Sequence, residues 1–440
     1  MQIKTDGSSK GKVVGLAACF MGLSHLLCLK EYVKGAAYAA IEVFFLCLLP
    51  FFIRKLIDLV TLGYPQPDLP VKLRSHSIFM LIDGILVLAL VAIFVALYVI
   101  SVQSAKKSYE EYCRTGRHSL KKFSFGDTVN NAFPLAGLAP CLIMLLIFVI
   151  VPLLFSIAVA FTNYSAPSHI PPNNTVDWVG VDNFKALFTG GTNWSQGFAR
   201  VAVWTLVWGV LSTFTCYFGG LLVAVQLKQS GIRFKGVFQF IFILPYAVPS
   251  VITMLVWKNL LNGSFGVVNK TLKLVGILGH DQIIPWLSNP TLAQVMCIVL
   301  NLWAGFGYFM LLSTGTMTAI SDDLYEAARI DGASNRQILY HITLPLVLYQ
   351  TMPLIIMSFT HNINNFGAIF FLTGGAPKVA DTTTTMAGGT DILVTWIYNL
   401  TITLMRYNYA SVIAVLIFVV LAPFAVYQFM HTRAYKEGEV

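Results

Sequence analysis

Two apolar stretches of the sequence carry polar residues at helical spacing. The two sets are Asn301, Gly305 and Tyr308, and Ser358, Asn362 and Asn365. Members of each set lie at i, i+4 and i+7, so each set is expected on one face of a helix. Asparagine amides donate and accept hydrogen bonds and a tyrosine ring can stack, which suits sugar hydroxyls and sugar rings. The same side chains could instead join neighbouring helices by hydrogen bonds, and spacing alone leaves both interpretations open.

A polar segment at 321–345, SDDLYEAARIDGASNRQILYHITLP, predicts a short helix followed by a tight turn. Ser321 is a suitable N-cap, and Asp322 follows in the first turn, where the helix dipole favours acids. Gly332 is a natural helix end, because glycine adopts the left-handed conformation that closes a helix.

The second half of this segment predicts another helix. Ser334 and Gln337 have capping-box spacing, and Pro345 suits the first turn of the next membrane span. The result is a helix–turn–helix elbow between two spans, and Ala327 and Ala328 would let a partner surface approach closely. An ordinary amphipathic loop is the alternative.

No residue pattern predicts catalysis. His361 has no acid or nucleophile at a useful spacing, and the seven cysteines include neither a CxxC pair nor a Cys/His cluster. The cysteines are interpreted as apolar packing residues. The sequence also lacks a G-x-x-x-x-G-K-[ST] phosphate loop, so no catalytic residue, metal ligand or bound nucleotide is expected in this chain.

The composition indicates the environment of these residues. Of the 440 residues, 56% are hydrophobic and only 11% are charged, and the mean hydropathy is +0.71. Soluble domains carry about 25% charged residues. The chain is therefore expected to be an all-α membrane protein with several spans, which excludes a soluble enzyme or a disordered chain.

Eight apolar runs are long enough to cross a bilayer, which takes about 20 residues. They lie at 35–53, 77–103, 135–163, 201–227, 236–257, 291–317, 346–373 and 408–430. The shorter run 13–29 is interpreted as an interfacial or re-entrant helix. If it spans instead, the count becomes nine and the N-terminus lies on the other side of the membrane. Pro245 and Pro249 fall within the fifth run and predict a kink, either a hinge or a static bend.

The distribution of basic residues predicts the orientation. With both termini in the cytoplasm, 18 of the 29 Lys and Arg residues fall in cytoplasmic segments, as the positive-inside rule requires. The loop 54–76 departs from that rule. Glu42 and Asp83 are the clearest acids within spans, and a packing or interfacial role is favoured for both.

The runs divide into two regions. Residues 1–130 form an N-terminal region with two accessory spans and a basic cytoplasmic loop, and residues 131–435 form a core of six spans. The outer loop 164–199 is too short for a large independent domain.

The elbow resembles the EAA loop of the permeases of ABC importers. The shared pattern is EAA, three residues, Gly, nine residues and Ile-x-Leu-Pro, and this segment matches every position. Its matching residues include Glu326, Ala327, Ala328, Asp331 and Gly332. The resemblance implies a type I ABC permease core whose elbow docks on a separate cytoplasmic ATPase, with Glu326 as the charged contact.

Further stretches resemble the larger membrane subunit of maltose-type sugar permeases. They are FTNY at 161–164, DWVGVDNF at 177–184, ILPYAVPS at 243–250, NLWAGFGYFM at 301–310, NINNFGAIFFLTGGAP at 362–377 and AGGTDILVTWIYNLT at 387–401. The resemblance implies that the two polar sets line a sugar pocket. Ala304 and His361 differ from the residues found at these positions in the enteric members of this family. This difference leaves the size of the substrate open.

The resemblance also implies the partners. These are a second six-span permease, a dimer of ATPases holding ATP and Mg²⁺, an extracytoplasmic binding protein anchored by lipid, and a maltodextrin-like oligosaccharide. Nucleic acid is not expected, and the location would be the bacterial cell membrane. A permease for another oligosaccharide or small solute remains the alternative. An ion-driven transporter would need acidic residues within the core spans, which are nearly free of them. A membrane enzyme would need a catalytic set of side chains, and no such set is found. Both classes are therefore disfavoured.

Overall fold

The computed structural model describes residues 10–115, 137–229 and 232–430, and the regular structure in these ranges is helical. Seven helices there are long and apolar enough to cross a membrane, and a bent pair makes an eighth if it counts as one span. The expected all-α membrane fold with about eight spans is confirmed. Most of the predicted basic loop, at 116–136, and the segment 431–440 lie outside the described residues.

The first of two compact units comprises residues 1–179. Its helices are α1 (Lys10–Cys19), α2 (Leu23–Leu27), α3 (Tyr32–Thr61), α4 (Ser77–Thr115) and α5 (Gly137–Ala160). Helix α3 packs on α4, and α4 packs on α5. The run 13–29 forms two short helices rather than a span, and the chain turns between them at Gly22, whose φ is +82°.

Both acids predicted within the spans of this unit have partners. The buried carboxylate of Glu42 accepts a hydrogen bond from the backbone N–H of Met21. Asp83 on α4 forms an ion pair with Lys55 on α3, with 2.7 Å between Oδ2 and Nζ. These contacts support the packing or interfacial role favoured for both acids.

The second unit comprises residues 180–440. Its helices are α6 (Asp182–Phe188), α7 (Asn193–Gln229), α8 (Lys235–Ala247), α9 (Ser250–Leu260), α10 (Val267–Leu274), α11 (Pro290–Thr318), α12 (Asp322–Ile330), α13 (Asn335–Ile363), α14 (Phe366–Leu372), α15 (Thr382–Thr385), α16 (Leu393–Tyr398) and α17 (Tyr407–Met430). The functional division at residue 130 stays a prediction.

Helices α7 and α11 form the most extensive packing of the second unit. Gly220 lets their backbones approach, since a Cβ there would lie 2.5 Å from the carbonyl oxygen of Phe306. One buried cluster fills the space where α7 ends. Its members are Cys216, Tyr217, Leu221, Ala224, Leu227, Phe309, Met310, Met317, Ile320, Tyr325, Ile338 and Val347.

The predicted fifth span is sharply broken. Helices α8 and α9 meet at an angle of 88°. Val248, which precedes Pro249, has an extended ψ of 131°, because the proline ring disfavours the helical conformation of the residue before it. Pro245 lies inside α8, so Pro249 is the proline that breaks the span.

The seventh predicted span, 346–373, has wrong boundaries at both ends. Helix α13 begins at Asn335, so the second helix of the elbow continues into the membrane without interruption. A π-helical turn at Leu339–Thr343 precedes Pro345 and lengthens the hydrogen-bond pattern there, as in the Leu344 N–H to Leu339 C=O bond. At its other end α13 stops at Ile363, and α14 follows as a separate helix.

Candidate functional site

The elbow between α11 and α13 has the caps that the sequence predicts. The hydroxyl of Ser321 accepts from the N–H of Asp323. Ser334 and Gln337 form the expected capping box. Gly332 has a φ of +80°, and nothing lies within 4 Å of where its Cβ would be. Glycine is therefore required there by the backbone conformation of the turn and not by lack of space.

Helix α12 turns most of its side chains away from the protein. Leu324 is 48% exposed and Ile330 is 85% exposed, and Glu326 and Ala327 are also exposed. Tyr325 is the one buried residue of this helix. Asp322, Asp323 and Arg329 are exposed as well. Exposed aliphatic side chains beside charged ones are the surface expected of a helix that docks on another protein.

The remaining residues predicted for coupling lie at different depths on the same elbow. Ala328 is half-buried against the cluster around Leu227, whereas Asp331 is exposed and directly precedes the turn. The elbow thus presents Glu326, Ala327 and Asp331 outward and holds Ala328 inward.

An open cavity of about 320 Å³ lies between the elbow and the ends of α7 and α11, so the exposed side chain of Glu326 also borders it. Its lining includes Val225, Lys228, Met317, Asp322, Tyr325, Glu326, Arg329, Asn335, Ile338, Leu339 and Thr343. The ammonium group of Lys228 lies within this lining, where it donates to the carbonyl oxygen of Met317 at 2.8 Å. It also lies 4.7 Å from the centre of the Tyr325 ring.

The first polar set lies on α11, with two of its residues against α7. The amide of Asn301 donates to the sulfur of Cys216 at 3.4 Å, and a Cβ at Gly305 would lie 3.0 Å from the same sulfur. Tyr308 is 37% exposed and stacks on Tyr246 of α8, with 5.3 Å between ring centres. Asn301 and Gly305 therefore face α7, and Tyr308 faces α8.

The second polar set does not share one helical face, because the helix ends within it. Asn362 is buried in the last turn of α13, and its amide donates to the hydroxyl of Thr213 on α7 at 2.9 Å. Asn365 lies beyond the break and caps α14 by accepting from the N–H of Ala368 at 3.3 Å. Ser358 is half-buried one turn before Asn362.

The carbonyl oxygen of Asn362, at the break between α13 and α14, accepts a hydrogen bond from a side chain as well as from the backbone N–H of Asn365 at 3.1 Å. The indole N–H of Trp208 on α7 donates to the carbonyl oxygen of Asn362 at 2.9 Å. Because lipid offers no hydrogen bonds, a broken helix in a membrane needs such a partner inside the protein. Broken helices of this kind often border transport sites.

Helix α7 connects the two polar sets. Thr213 and Cys216 lie three residues apart near its middle, and they contact Asn362 and Asn301 respectively. Residues at this spacing share one helical face, so the structure brings both asparagines to the same part of α7. Contact with a ligand stays a prediction for the six polar-set residues.

A buried polar loop at 373–392, which the sequence interpretation missed, lies where α7 begins. The guanidinium of Arg200 donates to both carboxylate oxygens of Asp381 at 2.9 Å and to the carbonyl oxygens of Ala387 and Gly388. In the sequence, Arg200 and Asp381 can be recognised only as charged residues near the ends of apolar runs. Their pairing could not be foreseen, because Arg200 and Asp381 are 181 residues apart in sequence.

Asp391 is the second acid buried in this loop. Its carboxylate accepts from the N–H of Gly388 and from the hydroxyl of Thr395, each at 2.7 Å. Burial raises the pKa of Asp391 to about 6, although these two hydrogen bonds, one from Asn399 and the charge of Arg200 oppose the rise. The lone acid before an apolar run in TDIL was visible in the sequence, but its burial was not.

The fold is similar to that of known importers. A bacterial ABC transporter involved in the import of the acidic polysaccharide alginate matches with a TM-score of 0.56 and 24% sequence identity. The match covers 69% of this chain and 96% of the other. At this identity the likeness shows a shared membrane fold.

Sequence comparison identifies the family. Residues 217–433 match the binding-protein-dependent transport system inner membrane component family. The galactooligosaccharides transport system permease protein GanP of Bacillus subtilis is 36% identical, over 93% of this chain and 94% of GanP. The maltodextrin transport system permease protein MdxF of the same organism is 34% identical, over 97% of each chain. The chain therefore belongs to this family of membrane transport permeases.

Proposed function

We propose that this permease imports a neutral oligosaccharide and is driven by a separate cytoplasmic ATPase that docks on α12. The observation that carries the proposal is the outward face of the elbow. Leu324, Glu326 and Ile330 are exposed there, while Tyr325 anchors the helix to the buried cluster. A partner that covered this helix would bury apolar surface and contact its exposed charged side chains, with Glu326 among them.

The position of the elbow supports its role in coupling. It lies where α7 ends, whereas the Arg200 loop lies where α7 begins. Arg200 and Lys228 are 28 positions apart, which corresponds to about 42 Å along a helix, enough to cross a bilayer. This distance supports placing the two features on opposite sides of the membrane. The basic-residue bias supports a cytoplasmic elbow and cytoplasmic termini.

The substrate class is supported by the polar sets and by the names of two relatives. GanP is named for galactooligosaccharides and MdxF for maltodextrin. Asn301, Asn362 and the stacked rings of Tyr246 and Tyr308 offer hydrogen bonds and an aromatic surface, which suit neutral sugar rings. The polar sets contain no Lys or Arg, so a phosphorylated solute is less suited.

The partners follow from the same proposal. The chain would pair with a second permease, and an extracytoplasmic binding protein would deliver the sugar near the Arg200 loop. A solved relative of the fold was crystallised with a periplasmic protein carrying an alginate pentasaccharide. ATP and Mg²⁺ would bind the ATPase, because this sequence has no phosphate loop.

The first test is uptake of labelled maltotriose by cells that carry or lack this chain. Unlabelled maltodextrins and galactooligosaccharides serve as competitors. Loss of uptake on deletion, with competition by maltodextrins, supports the maltodextrin assignment. Unchanged maltotriose uptake contradicts it, and labelled galactooligosaccharides are then tested in the same cells.

The docking role is tested separately. Glu326→Lys should reduce the amount of ATPase that co-purifies with the tagged permease at least fivefold, while the permease still inserts into the membrane. Asp182→Lys is a matched control, because Asp182 is an exposed acid on α6, away from the elbow. Normal co-purification and uptake in the Glu326→Lys variant would remove the docking role.

A further inference from the structure

A cationic side chain at the end of α7 contacts the elbow beside the apolar packing of Ala224 and Leu227. Lys228 lies in the last turn of α7 and donates to the carbonyl oxygen of Met317 in the last turn of α11. Carbonyl groups in the last turn of a helix lack partners within the helix and carry partial negative charge, so a cation is favourable there. Lys228 thereby joins the ends of two membrane helices.

The same ammonium group also contacts the elbow. It lies 4.7 Å from the centre of the Tyr325 ring, within the range of a cation–π contact. Because Tyr325 is the one buried residue of α12, its ring is the principal side-chain anchor between this helix and the rest of the unit.

Tyr325 extends the connection to α13. Its hydroxyl lies 3.4 Å from the hydroxyl of Thr343, which belongs to the π-helical turn before Pro345. The cluster from Lys228 through Tyr325 to Thr343 therefore touches α7, α11, α12 and α13. We call Lys228 and Tyr325 the joint.

We propose that Lys228 is a positioning residue that transmits movement of α12 to α7 and α11 by holding the Tyr325 ring against their ends. This inference rests on the proposed docking of an ATPase on the elbow. The covalent connections alone would move α11 and α13 with α12, since both are joined to it by short turns. Helix α7 has no such chain connection to α12, so its movement depends on packing and on the joint.

The test uses the complete complex, purified through a tag on this chain and reconstituted in liposomes with its binding protein. Maltotriose uptake and ATP hydrolysis are measured on the same preparation. Lys228→Met removes the charge and keeps a flexible apolar stem, so the ATPase should co-purify normally. Uptake per ATP hydrolysed should fall at least fivefold. Lys228→Arg should keep the ratio within twofold, because arginine also donates to carbonyls and stacks on rings.

Two further variants separate the joint from general effects of charge. Arg233→Met removes a cation from the short connection between α7 and α8, five residues after Lys228, and should leave the uptake per ATP hydrolysed unchanged. Tyr325→Phe keeps the ring and should also preserve the ratio, whereas Tyr325→Leu removes the ring and should lower it as Lys228→Met does. If Lys228→Met does not insert stably, the comparison of Tyr325→Phe with Tyr325→Leu still tests the role of the joint.

The outcomes are distinct. If uptake per ATP hydrolysed is normal in Lys228→Met or in Tyr325→Leu, the proposed role of the joint is wrong. Loss of ATPase co-purification in Lys228→Met also contradicts that role, because Lys228 would then be a docking residue. Failure of the proposed function gives a different result, because the unmodified complex would then show no bound ATPase or no ATP-dependent uptake of any labelled oligosaccharide.

Discussion

Arg200 and Asp381, which are 181 residues apart in the sequence, form an ion pair in which one guanidinium nitrogen lies 2.9 Å from both carboxylate oxygens. The side chain of Asp381 is 10% exposed and that of Arg200 is 31% exposed. The pair connects the loop 373–392 to the first turns of α7. The Arg200 guanidinium also donates hydrogen bonds to the loop carbonyl oxygens of Ala387 and Gly388.

Replacing Arg200 should loosen this loop. Arg200→Gln leaves the carboxylate of Asp381 buried without its cation, which should cost about 2 kcal/mol of stability. The melting temperature of the purified permease in detergent reports the loss. In a double-mutant cycle, Asp381→Asn combined with Arg200→Gln should cost less than the sum of the single changes.

A matched control is available at the surface. Lys185 and Asp182 form an ion pair of 3.2 Å in which both side chains are mostly exposed. Lys185→Gln should change stability by less than about 0.5 kcal/mol, since solvent screens such pairs. Equal effects of Arg200→Gln and Lys185→Gln would show that the buried pair contributes nothing special.

Burial of Asp391 predicts a pH dependence of stability. Its pKa is raised to about 6 from the ordinary 3.8, so between these values the folded protein holds a proton that the unfolded chain releases. The raised pKa of Asp391 therefore adds to the free energy of unfolding below pH 4. This stabilisation, at most about 3 kcal/mol, is lost as pH rises through 6. The melting temperature of the unmodified protein, relative to that of Asp391→Asn, should therefore fall from pH 4.5 to pH 7.5.

The Asp391→Asn variant is the control for this prediction. It cannot release a proton at residue 391, so its melting temperature carries the pH dependence of all the other groups. A melting-temperature difference between the unmodified protein and Asp391→Asn that stays constant from pH 4.5 to pH 7.5 would contradict the raised pKa.

Features that depend on neighbours in sequence could be predicted from the sequence alone. The elbow caps at Ser321 and Ser334 and the helix end at Gly332 follow from local backbone hydrogen bonding, and all three were predicted correctly. The number and approximate position of the spans follow from hydropathy, because each apolar run must be long enough to cross the bilayer.

Features that depend on tertiary partners could not be predicted. The end of α13 at Ile363 interrupts an apolar run, and it is satisfied by the indole of Trp208 and by the cap at Asn365. Hydropathy does not record those partners, so the two asparagines were expected on one helical face. The ring contact between Lys228 and Tyr325 was missed for the same reason.

Gly332 provides a test of the elbow's shape. Gly332→Ala should cost about 1 to 2 kcal/mol locally, because a residue with a Cβ is strained at a φ of +80°. The elbow would then be less ordered, so hydrogen exchange of α12 should rise and ATPase co-purification should fall severalfold. Gly315→Ala in α11 is the control, since that position is helical and open and should be unaffected or slightly stabilised.

The hydrogen bond between Asn362 and Thr213 can distinguish sugar binding from helix packing. Asn362→Ala and Thr213→Val each remove this bond, which is worth about 0.6 kcal/mol between membrane helices. If Asn362 also contacts the sugar, Asn362→Ala should reduce maltotriose uptake at least fivefold, mainly through a higher KM, while Thr213→Val should change uptake less than twofold. Adding Asn365→Ala to Asn362→Ala should lower uptake further without loss of bound ATPase.

Equal uptake in the Asn362→Ala and Thr213→Val variants would assign Asn362 to helix packing alone. The sugar contacts would then have to come from other residues, such as Tyr246 and Tyr308.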